Sequence, residues 1–394
     1  MADITIDTSA LSSTKFKIPQ LGPEKLEGAP PSTISLVPGT YSFQQPDLSG
    51  TSFSFTVTED GLVTYGPDND TFLQGKGTPD LTVRGLPVTI QTGALSEDLK
   101  LRMVGTPVLT RGLHHLTLVP GRYGFFLSYG VTALEFRLDS SGQVTLPPEH
   151  TGYATATGTT LEIRGYTITL DFRQLSHDLR PDLLGNSAIL KRATTHQLTL
   201  VPGQYRFFLS VGAADLWYRL APDGKVTVLP EHTGYATATG TTLEIRGYTI
   251  TLDFRQLSHD LRPDLLGNSA ILKRATTHQL TLVPGQYRFF LSVGAADLWY
   301  RLAPDGKVTV LPEHTGYATA TGTTLEIRGY TISLDFHGQF HDLTPDLLGQ
   351  NLTFPYAQVH QLTLAPGMFI LRSRRDSLCD IFVAVRPDGS LYPA

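Results

Sequence analysis

The sequence predicts an all-β protein built as a tandem array of about five 82-residue units, each an antiparallel β-sandwich or β-barrel. A propeller-like or continuous sheet is the alternative. Three observations carry this expectation. The first is an internal repeat: Glu149 to Pro230 occurs again, letter for letter, as Glu231 to Pro312, and a third copy stays faithful from Glu313 through Ile332. A fixed period of this kind marks stacked supersecondary units that bury a continuous core against their neighbours. The second is a series of short alternating apolar–polar runs with turn signals roughly every 8–12 residues, the spacing of sandwiches and barrels. The third is that no sustained 3.6-residue periodicity competes for a helix.

The period is read from two markers. A Leu-Thr-Leu-Val-Pro-Gly segment, diverged in the outer copies, places prolines at Pro38, Pro120, Pro202, Pro284 and Pro366, each 82 positions from the last. An Arg-Gly pair recurs at Arg84-Gly85, Arg164-Gly165, Arg246-Gly247 and Arg328-Gly329. Together they divide the chain into units 1–84, 85–164, 165–246, 247–328 and a shortened 329–394.

Residues 165–246 serve as the type unit. Tyr166-Thr-Ile168-Thr-Leu170-Asp-Phe172 alternates as a half-buried strand does. Arg173 to Gly185 is irregular, broken by Pro181 and Gly185, with a single helical turn expected around Asp182. Leu198-Thr-Leu200 is a short strand. Val201-Pro202-Gly203-Gln204 suits a type II turn, in which proline presets φ and glycine takes the positive φ. Tyr205 to Leu209 and Leu216 to Leu220 are strands, and Ala221-Pro222-Asp223-Gly224 is a hairpin turn into Lys225 to Val228. Tyr235 to Gly240 is rich in β-branched and small residues, and Leu243-Glu-Ile245 closes the unit. The expected core is Tyr166, Ile168, Leu170, Phe172, Leu198, Leu200, Leu216, Tyr218, Leu220, Val226, Val228, Leu243 and Ile245.

The boundary between units reads as a tight hairpin: Leu161-Glu-Ile163, the two-residue loop Arg164-Gly165, then Tyr166-Thr-Ile168. Such a joint leaves no linker and favours a stiff array over beads on a string. It also predicts complementary defects at the two ends. The first strand, carrying Ile4, Ile6 and Leu11, has no preceding Leu-Glu-Ile segment, and the last unit lacks an equivalent of His314 to Ile327. Two outcomes of these defects are ring closure and head-to-tail strand addition into fibres; the plain alternative is capped or frayed ends.

Composition excludes several function classes. The net charge is −5 with both signs interspersed, so no basic footprint for nucleic acid appears. No apolar run approaches the length of a membrane span. Residues 1–20 lack a basic-then-apolar signal pattern. A structural role outside the cell or on its surface is favoured by architecture alone. The single cysteine, Cys379, rules out an internal disulfide framework and reads as a minor structural residue.

Candidate chemical groups are few. Histidines recur with the period at His150, His232 and His314, at His177, His259 and His341, and at His196, His278 and His360. Identical copies make any residue recur, and the first unit lacks all three, so they read as surface or turn histidines. The run Ser176-His177-Asp178 cannot act as a triad, because neighbours in sequence do not stack as nucleophile, base and orienter. No nucleophile elbow, phosphate loop or His-Glu-x-x-His motif is present. The expectation is therefore no enzyme, no cofactor and no metal.

Aromatic residues give a better lead. Trp217 and Trp299 alternate with the core positions Leu216 and Tyr218, and Leu298 and Tyr300, so they face away from the core. With Arg219 or Arg301 beside it, each tryptophan either stacks on a sugar ring or partner, or packs against the adjacent unit. The near-identical middle copies imply a recent duplication or an inserted copy, and so a function that tolerates a change in unit number. The sequence thus points to a structural and interaction array that self-associates, with a multivalent carbohydrate- or protein-binding array as the alternative.

Overall fold

A computed structural model describes the chain except for residues 13–14, 22–24, 28–30, 45–52, 102–107, 127–131, 209–215, 291–297, 338–341, 350–351, 374–379 and 394. Cys379 and His341 lie outside the described residues. Among those described, the chain forms strands and short 3-10 turns and no α-helix. The helical turn expected around Asp182 is absent. The 3-10 turns fall instead at prolines, as at Pro148–His150, Pro230–His232 and Pro312–His314, where proline's fixed φ sets the first position.

The type unit contains eight strands in two sheets. One sheet runs in the order His196–Leu200, Tyr166–Asp171, Thr242–Ile245, Ala236–Thr239. The other runs Arg180–Pro181, Gly203–Phe208, Leu216–Leu220, Val226–Val228. The first sheet takes the first, third, seventh and eighth strands of the unit and the second takes the second and the fourth to sixth, so the two interleave along the chain. A propeller blade takes consecutive strands, and the propeller alternative falls on that point. No sheet closes into a barrel. The inward residues Ile168 and Leu170 of one sheet share an apolar cluster with Tyr205, Phe207 and Tyr218 of the other, which makes the pair a sandwich.

Pairing is not wholly antiparallel. Thr242–Ile245 runs parallel to Tyr166–Asp171, with Leu170 opposite Leu243 and Asp171 opposite Glu244. Parallel neighbours need a long crossover, and here the whole second sheet serves as that connection. The arrangement recurs where Leu86–Gln91 meets Thr160–Ile163 and where Tyr248–Asp253 meets Thr324–Ile327.

This pairing overturns the boundary hairpin. Thr242–Ile245 pairs with the first strand of its own unit, while Tyr248–Asp253 belongs to the next sheet. The backbone amides of Arg246 and Gly247 both donate to the carbonyl oxygen of Tyr235, which turns the chain out of one sheet and into the next. The first strand, Ala2–Asp7, follows the same rule. It pairs antiparallel with Ser32–Leu36 and parallel with Asp80–Val83, so both of its edges are occupied. Ile4 and Ile6 are buried in that sheet. The expected vacancy at this strand is therefore not there: its parallel partner comes from the end of its own unit, not from a preceding one. Tyr330–Asp335 in the last unit pairs only with Val359–Leu364 among the described residues.

The predicted core is buried apart from Tyr166 and Val228, which are half-buried against it. Tyr205, Phe207, Leu175 and Leu179 join it. Gly203 does not take the positive φ of a type II turn. It opens a strand opposite Leu220, because Val201-Pro202 carries the chain from one sheet to the other and no hairpin forms there. The apolar cluster that begins at Ile4 continues through Ile245 and takes in Val283, so it crosses unit boundaries without a break.

Candidate functional site

The most elaborate constellation lies at the boundaries between units. After its first strand each unit sends a short loop beginning Leu-Ser into the next: Leu11-Ser12, Leu95-Ser96, Leu175-Ser176 and Leu257-Ser258. In every case the serine makes the same pair of bonds. Ser176 N donates to the Thr281 carbonyl oxygen at 2.8 Å, and Thr281 N donates to Ser176 Oγ at 2.8 Å. Ser12 repeats this with Thr117, Ser96 with Thr199, and Ser258 with Thr363. The serine thereby caps the free edge of the receiving strand.

The leucine fixes the fit. Gly247 holds φ +65°, and a Cβ there would stand 2.8 Å from Leu175 Cδ2 and 2.7 Å from the Leu282 carbonyl oxygen. Gly85, Gly165 and Gly329 meet Leu11, Leu95 and Leu257 in the same way. The glycine of the Arg-Gly marker is thus a seat for the preceding unit's leucine as well as a chain reversal.

An aspartate completes three of these latches. Asp178 N donates to the Leu266 carbonyl oxygen at 2.9 Å, and Asp98 and Asp260 do the same with Leu184 and Leu348. The Asp178 carboxylate accepts from Lys191 Nζ at 2.9 Å and from Arg192 N at 3.1 Å. Burial pushes this carboxyl upward, but the bonds from Lys191 and Arg192 outweigh it and hold the group below its usual range. Asn268 Nδ2 reaches back to the Ser176 carbonyl oxygen, as Asn186 Nδ2 does to that of Ser96, both at 2.8 Å.

Between serine and aspartate sits a buried titratable residue that differs along the array. At the boundary between units 2 and 3 it is Glu97, whose Oε1 accepts from the Tyr205 hydroxyl at 2.7 Å and whose Oε2 has no partner. Burial raises its pKa to about 7. At the next two boundaries it is histidine. His177 lies 6.4 Å from the Tyr287 ring and His259 lies 5.9 Å from the Phe369 ring, centroid to centroid. Each faces a carbonyl oxygen one residue on, which only accepts, so Nδ1 carries the proton. Burial lowers both pKa values. These two histidines are fully buried in a bend of the chain, which corrects their reading as surface or turn groups. His232 and His314 are also buried, each bonded through Nδ1 to the hydroxyl of Tyr235 or Tyr317. Ser176, His177 and Asp178 point to different partners, and among the described residues no three His, Cys, Asp or Glu side chains gather as a metal site.

The second constellation is on the outer face of the second sheet. Trp217 is half-buried and lies directly opposite Arg206. The Arg206 guanidinium stands 5.3 Å from the Trp217 ring centroid and 4.7 Å from that of Phe208, and its Nε bonds Asp182 Oδ2 at 2.8 Å. Arg180 covers Phe208 at 4.9 Å. In unit 4, Arg288, Trp299, Phe290, Asp264 and Arg262 repeat the cluster. Arg219 and Arg301 share the outer face but sit between Gln204 and Thr227, and between Gln286 and Thr309, in the sheet register. The arginine over each tryptophan is therefore the cross-strand one and not the one two residues along. The signal was present in Gln204-Tyr-Arg206-Phe-Phe208, whose alternation sends Tyr205 and Phe207 inward and Arg206 and Phe208 outward.

No protein-family model matches the chain, and no curated protein matches it in sequence. Among solved structures it is similar to the pilus adhesin SpaC from Lactobacillus rhamnosus GG, at 11% identity with a TM-score of 0.15, over 77% of this chain and 51% of that one. The chain thus spans about half the length of that adhesin.

Proposed function

We propose that the protein is a non-enzymatic structural array: a stiff run of β units 1–84, 85–164, 165–246, 247–328 and 329–394, acting as a spacer or stalk on or outside the cell. The observation that carries this reading is the recurrence of one latch. The same serine, leucine and glycine contacts join each unit to the next at four successive boundaries. Repetition of one contact geometry gives one repeated rotation and translation, and length then scales with unit number. Head-to-tail addition through the first strand has no part in it, since both edges of Ala2–Asp7 are taken.

Electron microscopy in negative stain of the chain, beside a variant lacking residues 231–312, tests the proposal. That deletion removes one period and leaves every remaining boundary unchanged in sequence. The expected result is a contour shorter by one unit with the same narrow spread of angles between units. Bead-like particles with broadly distributed angles would overturn it. A second reading, a multivalent binding array, is favoured by the repeated cluster of Arg206, Phe208 and Trp217.

A further inference from the structure

Beside that cluster the structure opens a cleft of about 380 Å³. Its walls include Arg180, Asp182, Asn186, Ser187 and Phe208. Two features set its chemistry. Arg206 is neutralised by Asp182 at 2.8 Å, whereas Arg180 has no carboxylate partner among the described residues and lies stacked on Phe208. An exposed guanidinium held flat by an aromatic ring keeps its fork of donors free for a planar or tetrahedral anion. The ring of Phe208 carries both Arg180 and Arg206, and across Arg206 stands the half-buried indole of Trp217, an apolar surface of the kind that packs on the carbon skeleton of a sugar.

From this we infer that the cleft of unit 3 and the matching cluster of unit 4 bind an acidic polysaccharide. Arg180 and Arg262, held by Phe208 and Phe290, engage its carboxylate or sulfate groups, while Trp217 and Trp299 pack on its rings. The inference rests on the binding-array reading and leaves the stalk reading independent. The ligand is a polymer because the cluster recurs one period on: a frame presenting two such clusters favours a chain with repeating charge and gains from engaging both at once. The last unit supplies an internal contrast. Thr344 and Arg372 stand in register where Arg262 and Phe290 stand, and Ile370 pairs with Phe382 where Arg288 pairs with Trp299. Among its described residues that unit has no arginine at the Arg180 position and no Arg–Trp pair, and its stacked Arg386, over Tyr392 at 5.0 Å, lies outside this register, so the inference gives it no site.

The experiment is calorimetric titration of the full chain with polygalacturonate, heparin, neutral dextran and poly-glutamate. Binding of polygalacturonate or heparin, weakened by salt, is expected, with none to dextran. The double variant Arg180→Ala, Arg262→Ala should bind at least about tenfold more weakly, and the single variants by less than the double. Arg180→Lys with Arg262→Lys keeps the charge and removes the fork, and is expected to weaken binding as well. Trp217→Ala with Trp299→Ala should do the same to the polysaccharide alone. Unchanged melting temperatures of the arginine variants will show that the fold is intact. No binding to either acidic polysaccharide overturns the inference, as does binding that the arginine pair does not affect. Poly-glutamate binding as tight as that of the polysaccharide also overturns it, and makes the partner an acidic peptide. None of these outcomes bears on particle length, so failure here is separable from failure of the stalk.

Discussion

Ser176 and Thr281 exchange two hydrogen bonds of 2.8 Å across the boundary between the third and fourth units, one through the backbone and one through the serine hydroxyl. They are 105 residues apart in sequence. The bond to Oγ is the one a mutation removes cleanly. Ser176→Ala leaves the half-buried Thr281 N–H without its acceptor and should cost about 1–3 kcal/mol. Denaturant unfolding checks this, and adding Ser258→Ala should contribute a second, nearly additive loss because it lies at another boundary.

Gly247→Ala should destabilise by at least about 2 kcal/mol, since φ +65° is strained for any residue with a Cβ. The new methyl would also collide with Leu175 and with the Leu282 carbonyl oxygen. Pairing it with Leu175→Ala relieves only the first collision. The double variant should therefore stay less stable than Leu175→Ala alone, as read by thermal melting.

Glu97 gives the boundary between units 2 and 3 a defined pH response. Its folded pKa is raised to about 7 from an ordinary value of 4.5, so the folded state holds its proton longer than the unfolded state. Stability from this group is complete below the unfolded value and is lost as pH rises from 4.5 through 7. The loss is of order 3 kcal/mol at alkaline pH. Glu97→Gln keeps an acceptor for the Tyr205 hydroxyl and should raise stability at pH 8 while changing little at pH 4. Denaturation midpoints at both values decide it.

The two later boundaries respond in the opposite sense. Burial depresses the folded pKa of His177 and His259, so the unfolded chain takes up protons first as pH falls. Their contribution is complete above the unfolded value of about 6.5 and declines as pH drops below it. The double variant His177→Gln, His259→Gln should lose less stability than the parent between pH 7 and 5. An equal loss in both would show that these histidines do not titrate in that window.

Much of the fold was legible because strands with one buried face announce themselves residue by residue. Ile168 and Leu170, or Leu216 and Tyr218, alternate with polar neighbours, and the structure buries them. Pairing was less legible. Leu243-Glu-Ile245 and Tyr248-Thr-Ile250 flank a two-residue turn, and nothing local says that the first strand's partner lies upstream, opposite Leu170. Parallel pairing is a long-range choice, made here by the turn of Arg246 and Gly247 onto the Tyr235 carbonyl oxygen. The latch was hidden differently. Leu95-Ser96 and Leu175-Ser176 are short, irregular and polar, and their worth comes from a strand edge about a hundred residues away. Glu97 and His177 differ in chemistry and so do not announce a shared position in sequence, whereas in space both fill one buried slot in the boundary. Alternation alone turns Trp217 outward, between the buried Leu216 and Tyr218, but Arg206 reaches it through cross-strand register, which sequence spacing does not display.

Units 3 and 4 offer the same receiving surface: Gly165, Leu184, Asn186 and Thr199 in one, Gly247, Leu266, Asn268 and Thr281 in the other. A chain refolding from the denatured state therefore gives the Ser96 loop two chemically equal docks, distinguished only by the length of tether between them. Choosing the far one loops out a full period, and choosing one on another molecule knots two chains together. Faithful assembly thus depends on proximity and on the order in which units emerge during synthesis, and the recovery of correctly registered protein should fall as refolding is carried out at higher concentration.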